Sequence, residues 1–140
     1  MQYYWPIIMV VVSNVAYHVV AKSTPVSINP LASLGITYLV GMIAVFMLYF
    51  LTSPVKSLAT EYGSLNWTSF ALGLAIVGLE YGFLNMYKVG WNISIGSLVA
   101  SISVALILIL VGILYYKEAL TVPNLAGVVL CLAGLVLINH

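Results

Sequence analysis

The chain contains no arginine and no aspartate, and only 5% of its 140 residues are charged. In soluble domains about a quarter of the residues are charged, so this composition excludes an ordinary water-facing surface. The net charge of +1 and the lack of a basic cluster argue against a nucleic-acid partner. The single cysteine, Cys131, excludes a disulfide within the chain. With 64% hydrophobic residues, the sequence predicts that lipid is the solvent.

The sequence also lacks the short motifs of common enzyme and metal sites, such as CxxC, HExxH, the P-loop and GxSxG. Two of its three carboxylates, Glu61 and Glu118, fall in polar segments between apolar runs. We therefore expect the protein not to be an enzyme, and to hold neither a cofactor nor a metal.

Long apolar runs dominate what is present. A bilayer core needs about 20 apolar helical residues, and five segments approach that length: 3–21, 31–52, 67–87, 93–116 and 122–139. No lysine or arginine precedes the first run, which favours a retained helix over a secretory signal. The sequence thus predicts one all-α membrane domain, 1–140, with five transmembrane helices. Because the last segment is the shortest, four spans plus one partly buried helix is the alternative.

The lysines give almost no instruction about orientation in the membrane. With five spans, Lys56 and Lys117 fall on the side of the N-terminus, and Lys22 and Lys88 fall on the other. The positive-inside rule needs an imbalance across short loops. Either the chain inserts in both orientations and opposed copies pair, or weaker features select a single orientation.

Glu80 is the one acid inside an apolar span, in the stretch AIVGLEYGFLNMYK. It lies about 12 Å along the helix from Lys88, where an ionised acid costs about 2.5–3.5 kcal/mol. The Glu80 carboxyl is tolerable inside the span if it is protonated, paired with another group or facing a water-filled cavity. It is therefore a candidate proton- or substrate-binding residue, and the alternative is a protonated acid that holds a neighbouring helix.

The first span supplies possible partners for this acid. Asn14, Tyr17 and His18 share one helix face, and a polar stripe in a span should face protein or water. His18 could pair with Glu80, or it could reach the interface one turn before Lys22.

Small residues mark other helix faces. Gly78 and Gly82 form a GxxxG pattern, and Gly127 and Gly134 recur in the last span. Such residues let helices approach closely in lipid, so we predict packing roles for these glycines. Ser97 belongs to a serine face of the fourth span, which could pack against a helix or line a pore.

The second half of the chain resembles the end of an EamA-type repeat of the drug/metabolite transporter superfamily. The turn reads YYKEALT, with Glu118 at the family's acid, and the last span reads LAGVVLCLAGLVLI, with Gly127 and Gly134. The first half resembles the opening helices more loosely. Two features depart from the pattern: Lys117 stands where a glycine is frequent, and SISV (101–104) lacks a proline found in many members.

The resemblance implies a transporter in which two repeats combine, since most members carry two inverted repeats in one chain. Half-size members and the more distant small multidrug resistance proteins suggest the same arrangement. The latter place their key acid in the first helix, where this chain has Asn14 and His18.

We therefore expect a secondary transporter of small metabolites or drugs, working as an antiparallel dual-topology homodimer or with a paralogue. It would be an integral protein of a prokaryotic inner membrane, in contact with lipid. A cavity between the copies would be lined by the first, third and fourth of the five spans. The expected lining residues are Asn14, Tyr17, His18, Glu80, Tyr81 and Ser97, with Trp91 at the mouth, and Glu80 would couple transport to protons. A membrane scaffold or assembly subunit and a lipid-linked-sugar flippase subunit are the alternatives.

Overall fold

The computed structural model describes residues 3–54, 57–119 and 121–138, and all regular structure in these ranges is helical. The helices are α1 (Trp5–Ser23), α2 (Pro30–Thr52), α3 (Leu58–Tyr62), α4 (Trp67–Lys88), α5 (Ile93–Leu114) and α6 (Val122–Ile138). Four of them, α1, α2, α4 and α5, are long and apolar enough to cross a membrane, and α6 is a shorter apolar helix of 17 residues. The all-α prediction is confirmed, and each of the five predicted segments forms a helix.

Some helix ends differ from the prediction by a few residues. α1 continues to Ser23 because the first chain-breaking proline is Pro25, and the residue before a proline disfavours helix. Within the predicted loop 52–66, α3 forms a helix of five residues. The predicted end of the last span, at residue 139, lies outside the described residues, as does Lys56.

Two asparagines fix where the helices of the central hairpin begin. Asn29 precedes Pro30 and accepts a hydrogen bond from the backbone of Leu31 at 2.9 Å. Asn66 accepts from the backbone of Thr68 at 2.9 Å. These side chains satisfy amide groups that have no partner inside the helix, which matters most near a membrane boundary.

The turn after α5 explains why it ends two residues before the predicted position, at Leu114. The backbone of Tyr115 bonds back to Val111, and Lys117 then adopts a φ of 54°, in the left-handed region that favours glycine. This is the position where the family resemblance leads us to expect glycine. Glu118 donates its backbone N–H to Gly112 O at 3.0 Å. Its carboxylate also lies close to the buried Gly112: a Cβ added there would be 2.7 Å from Oε2, and the flexible glutamate side chain would have to shift.

The chain divides into two compact units. The first unit comprises Met1–His18 and Gly90–His140, and the second comprises Val19–Val89. In the first unit α5 packs on α6, and in the second α2 packs on α4.

Apolar side chains are exposed along all five long helices, as in a protein whose surroundings are acyl chains. In the described part of the chain, the buried hydrophobic residues are Ala21, Leu34, Leu84 and Tyr87, all in the second unit. The best-packed region of the protein is therefore the end of this unit where α2 begins and α4 ends.

Candidate functional site

On α2 and on α4, a buried leucine lies four residues from a member of an interacting polar pair. Leu34 and Tyr38 share one face of α2, and Glu80 and Leu84 share one face of α4. Tyr38 is eight residues after Pro30, where α2 begins, and Glu80 is eight residues before Lys88, where α4 ends. Since the two helices form a hairpin, the tyrosine and the acid lie at the same depth, about 12 Å from these helix ends.

Tyr38 and Glu80 interact across this contact. Their side chains lie within electrostatic and hydrogen-bonding range. Tyr38 Oη and Glu80 Oε2 are nevertheless both buried without a hydrogen bond of normal geometry. The two side chains are therefore close to each other, but the hydrogen bond between them does not reach normal geometry. Because buried polar atoms are almost always satisfied in native proteins, this pair can accept a further partner, such as a proton, a water or a cationic group.

The environment of Glu80 is intermediate between lipid and a sealed core. The residue as a whole is half-buried, while its Oε2 atom is buried. A neighbouring phenol can donate to a carboxylate but carries no compensating charge. An ionised acid inside a membrane span is costly without a compensating charge.

Tyr81, the other site residue predicted in this unit, has a different environment. It is 42% exposed in the protomer. Its backbone carbonyl accepts a 2.8 Å hydrogen bond from the Asn85 side chain, a bond within α4 that does not involve the acid. Its ring therefore has room for a ligand or a lipid, and its role in lining a cavity stays a prediction.

In the first unit, the rings of the sequence neighbours Tyr17 and His18 are in contact. Their ring centroids are 5.2 Å apart in an edge-to-face arrangement. His18 is only 6% exposed, which disfavours the alternative in which it simply reaches the water interface. Asn14 is exposed in the protomer. The pairing of His18 with Glu80 stays a prediction, because the two residues belong to different units.

Ser97 and Trp91 complete the predicted set. The Ser97 hydroxyl donates to Ile93 O at 2.6 Å, so it bonds to its own helix. A membrane serine is commonly satisfied in this way, which favours a structural role. Trp91, in the turn before α5, is 40% exposed, and its place at the mouth of a cavity stays a prediction.

The glycines predicted to pack do not contact another part of the described chain closely. A Cβ added at Gly78, Gly82, Gly127 or Gly134 would meet no described atom within 4 Å. Gly78 and Gly82 lie two residues from Glu80 on either side, which places them about 200° around α4, on the face turned away from α2. The packing role of these glycines stays a prediction.

Sequence reasoning missed Tyr38 and the second span, which supply the neighbour of Glu80. A signal was present in the sequence: Tyr38 lies well inside a span rather than at its end, where interfacial tyrosines concentrate.

Comparison with known proteins identifies the family. The model of the EamA-like transporter family matches residues 2–140, nearly the whole chain. No curated protein and no solved structure matches significantly. With four helices that are long and apolar enough to cross a membrane, this integral membrane protein belongs to the EamA-like transporter family.

Proposed function

We propose that the protein is a secondary transporter of small metabolites or drugs in a prokaryotic inner membrane, and that Glu80 is its proton- or cation-binding group. Substrate and proton compete for the carboxyl in this scheme. The protonated acid is stable in the membrane, and a cationic group of the substrate replaces the proton when it binds.

The observation that carries the proposal is the incomplete pairing of Glu80 with Tyr38, about 12 Å from the end of α4. An acid that only held two helices together would be expected to complete its hydrogen bond, because an unsatisfied buried oxygen costs about 1–3 kcal/mol. An acid that binds and releases a ligand keeps part of its bonding capacity in reserve. Tyr38 then positions the carboxyl and donates to it when the proton is absent.

Two copies would assemble antiparallel to form the transporter, with a paralogue as the alternative partner. Support comes from the even division of the lysines between the two sides and from the open glycine face of α4. Since this face is opposite Glu80, a second helix can pack there without covering the acid.

A thermal-shift screen of cations, amino acids and drugs, run on purified protein at one acidic and one alkaline pH, tests the binding proposal. A cationic substrate that competes with a proton should stabilise the protein more at alkaline pH, where the carboxyl is ionised. The Glu80→Gln variant should lose this difference between the two pH values. Solutes that stabilise both proteins equally at both pH values would contradict the role of Glu80. No stabilisation by any solute would instead favour a scaffold.

A further inference from the structure

A small cavity lies in the second unit, at the end where α1 and α4 finish and α2 begins. Its volume is about 160 Å³, and its lining includes Lys22, Lys88, Tyr87, Leu84 and Pro30. The loop count from the sequence places these two lysines on the same side of the membrane, and the structure shows them around one cavity. Both belong to the last turn of a membrane-crossing helix, so the cavity is at the depth of lipid headgroups.

Each lysine is held in place by a described contact. The Lys22 ammonium lies 5.6 Å from the centroid of the Tyr87 ring, a cation–π arrangement. Tyr87 is buried, at 5% exposure, and so provides a fixed platform. Lys88 donates from Nζ to the backbone carbonyl of Ile28, in the loop before α2. An ammonium has three N–H donors, so this bond leaves two of them for a ligand.

Neither acid of the second unit lines the cavity. The second unit contains two acids, Glu61 and Glu80. Glu80 is two helical turns from Lys88, about 12 Å along α4, and it faces Tyr38. Glu61 follows the opposite end of α2, on α3. Two cations that line one cavity repel each other, and an anion between them removes that repulsion.

We propose that this cavity binds a phosphate group, held by Lys22 and Lys88. Lysine binds phosphate as a compact point charge, and basic pockets between membrane helices bind anionic headgroups. The phosphate belongs either to the headgroup of an anionic phospholipid or to a free phosphorylated solute. This site is separate from Glu80 and does not depend on the transport proposal.

The test measures the thermal stability of delipidated protein in a neutral detergent with three additives: phosphatidylglycerol, phosphatidylcholine and inorganic phosphate. Each is titrated against the wild type, Lys22→Gln/Lys88→Gln and Lys56→Gln/Lys117→Gln. The last variant is the matched control, because it removes the same number of charges on the other side of the predicted topology. Phosphatidylglycerol should stabilise the wild type and the control in a saturable way, and the stabilisation should disappear in Lys22→Gln/Lys88→Gln.

Inorganic phosphate distinguishes the two sources of the group. Saturable stabilisation by inorganic phosphate, lost in the same variant, assigns the site to a free phosphorylated solute. A response to phosphatidylglycerol but to neither inorganic phosphate nor phosphatidylcholine assigns it to a lipid headgroup. No saturable response to phosphatidylglycerol or inorganic phosphate overturns the proposal, and so does an equal loss of the response in both double variants.

A single substitution keeps the test valid if the double variant folds poorly, since Lys88 also holds Ile28. Lys22→Gln preserves that hydrogen bond and should weaken phosphate binding about fivefold, the effect of one lysine near a membrane surface. Lys22→Arg should retain binding. Unchanged affinity in Lys22→Gln overturns the proposal. A lysine variant that loses the phosphate response but keeps pH-dependent solute binding shows that this site is separate from the one at Glu80. A Glu80→Gln variant that loses pH-dependent solute binding but keeps the phosphate response shows the same.

Discussion

Glu80→Gln should abolish the pH dependence of substrate uptake by reconstituted protein. Glutamine preserves the size of the side chain but cannot bind or release a proton near neutral pH. It also removes the negative charge that would hold a cationic substrate. A hydrogen bond to a charged group contributes about 1.5–3 kcal/mol, so affinity should fall about tenfold to a hundredfold. The measurement is uptake into liposomes, with and without a pH gradient, of a solute found by the thermal-shift screen.

Two variants serve as controls for this result. Glu61→Gln makes the same chemical change on α3, outside the long apolar helices, and should leave uptake unchanged. Tyr38→Phe keeps the ring but removes the hydroxyl beside the acid, so uptake should weaken while its pH dependence persists. If Glu80→Gln transports with the wild-type pH dependence, the carboxyl does not couple the reaction.

Replacing both glycines of the α4 pattern by leucine, in Gly78→Leu/Gly82→Leu, should disrupt the dimer and leave the protomer folded. The described atoms leave space at both positions, and leucine is a better helix former than glycine. Between copies, two leucines would prevent the close backbone approach that a GxxxG face permits. The equilibrium constant for dimerisation should therefore fall at least about tenfold, which corresponds to about 1.4 kcal/mol, and the fraction of dimers should fall with it. Single-molecule photobleaching in liposomes measures that fraction.

Gly73→Leu is the matched control for the dimer prediction. Gly73 is in the same helix and also has open space around it. It precedes Gly78 by five residues, about 140° away around the helix. This variant should form dimers like the wild type. Equal dimerisation of all three proteins would show that the copies pack through another surface, and the absence of dimers in all three would show that the chain works alone.

The sequence predicted the architecture well because lipid imposes strong constraints. Backbone groups in hydrocarbon must be satisfied within helices, so apolar runs bounded by prolines, glycines and lysines lead directly to spans. Pro25 and Pro30 delimit the first loop, and Asn29 and Asn66 cap the helices that follow loops. The short α3 escaped prediction because five polar and apolar residues carry no usable periodicity.

The site was predicted only in part, for a physical reason. Composition and depth identify Glu80 as costly, but they do not show which helix its side chain faces. The neighbour is Tyr38, 42 positions away in the sequence, and only the packing of α2 on α4 brings the two together. The i, i+4 spacing of Leu34 with Tyr38, and of Glu80 with Leu84, marks both faces. The spacing alone could not pair them with each other.

The central claim is that the Glu80 carboxyl, although deep in the membrane, exchanges its proton with water. Because the chain has no aspartate and three glutamates, Glu61→Gln/Glu118→Gln leaves Glu80 as its one side-chain carboxyl. Infrared difference spectroscopy of this variant in liposomes, with Glu80→Gln added as the blank, isolates the carboxyl C=O band. A band that shifts promptly on transfer to D₂O and loses intensity as the pH is raised is the predicted result. A band that neither shifts nor responds to pH would contradict the account.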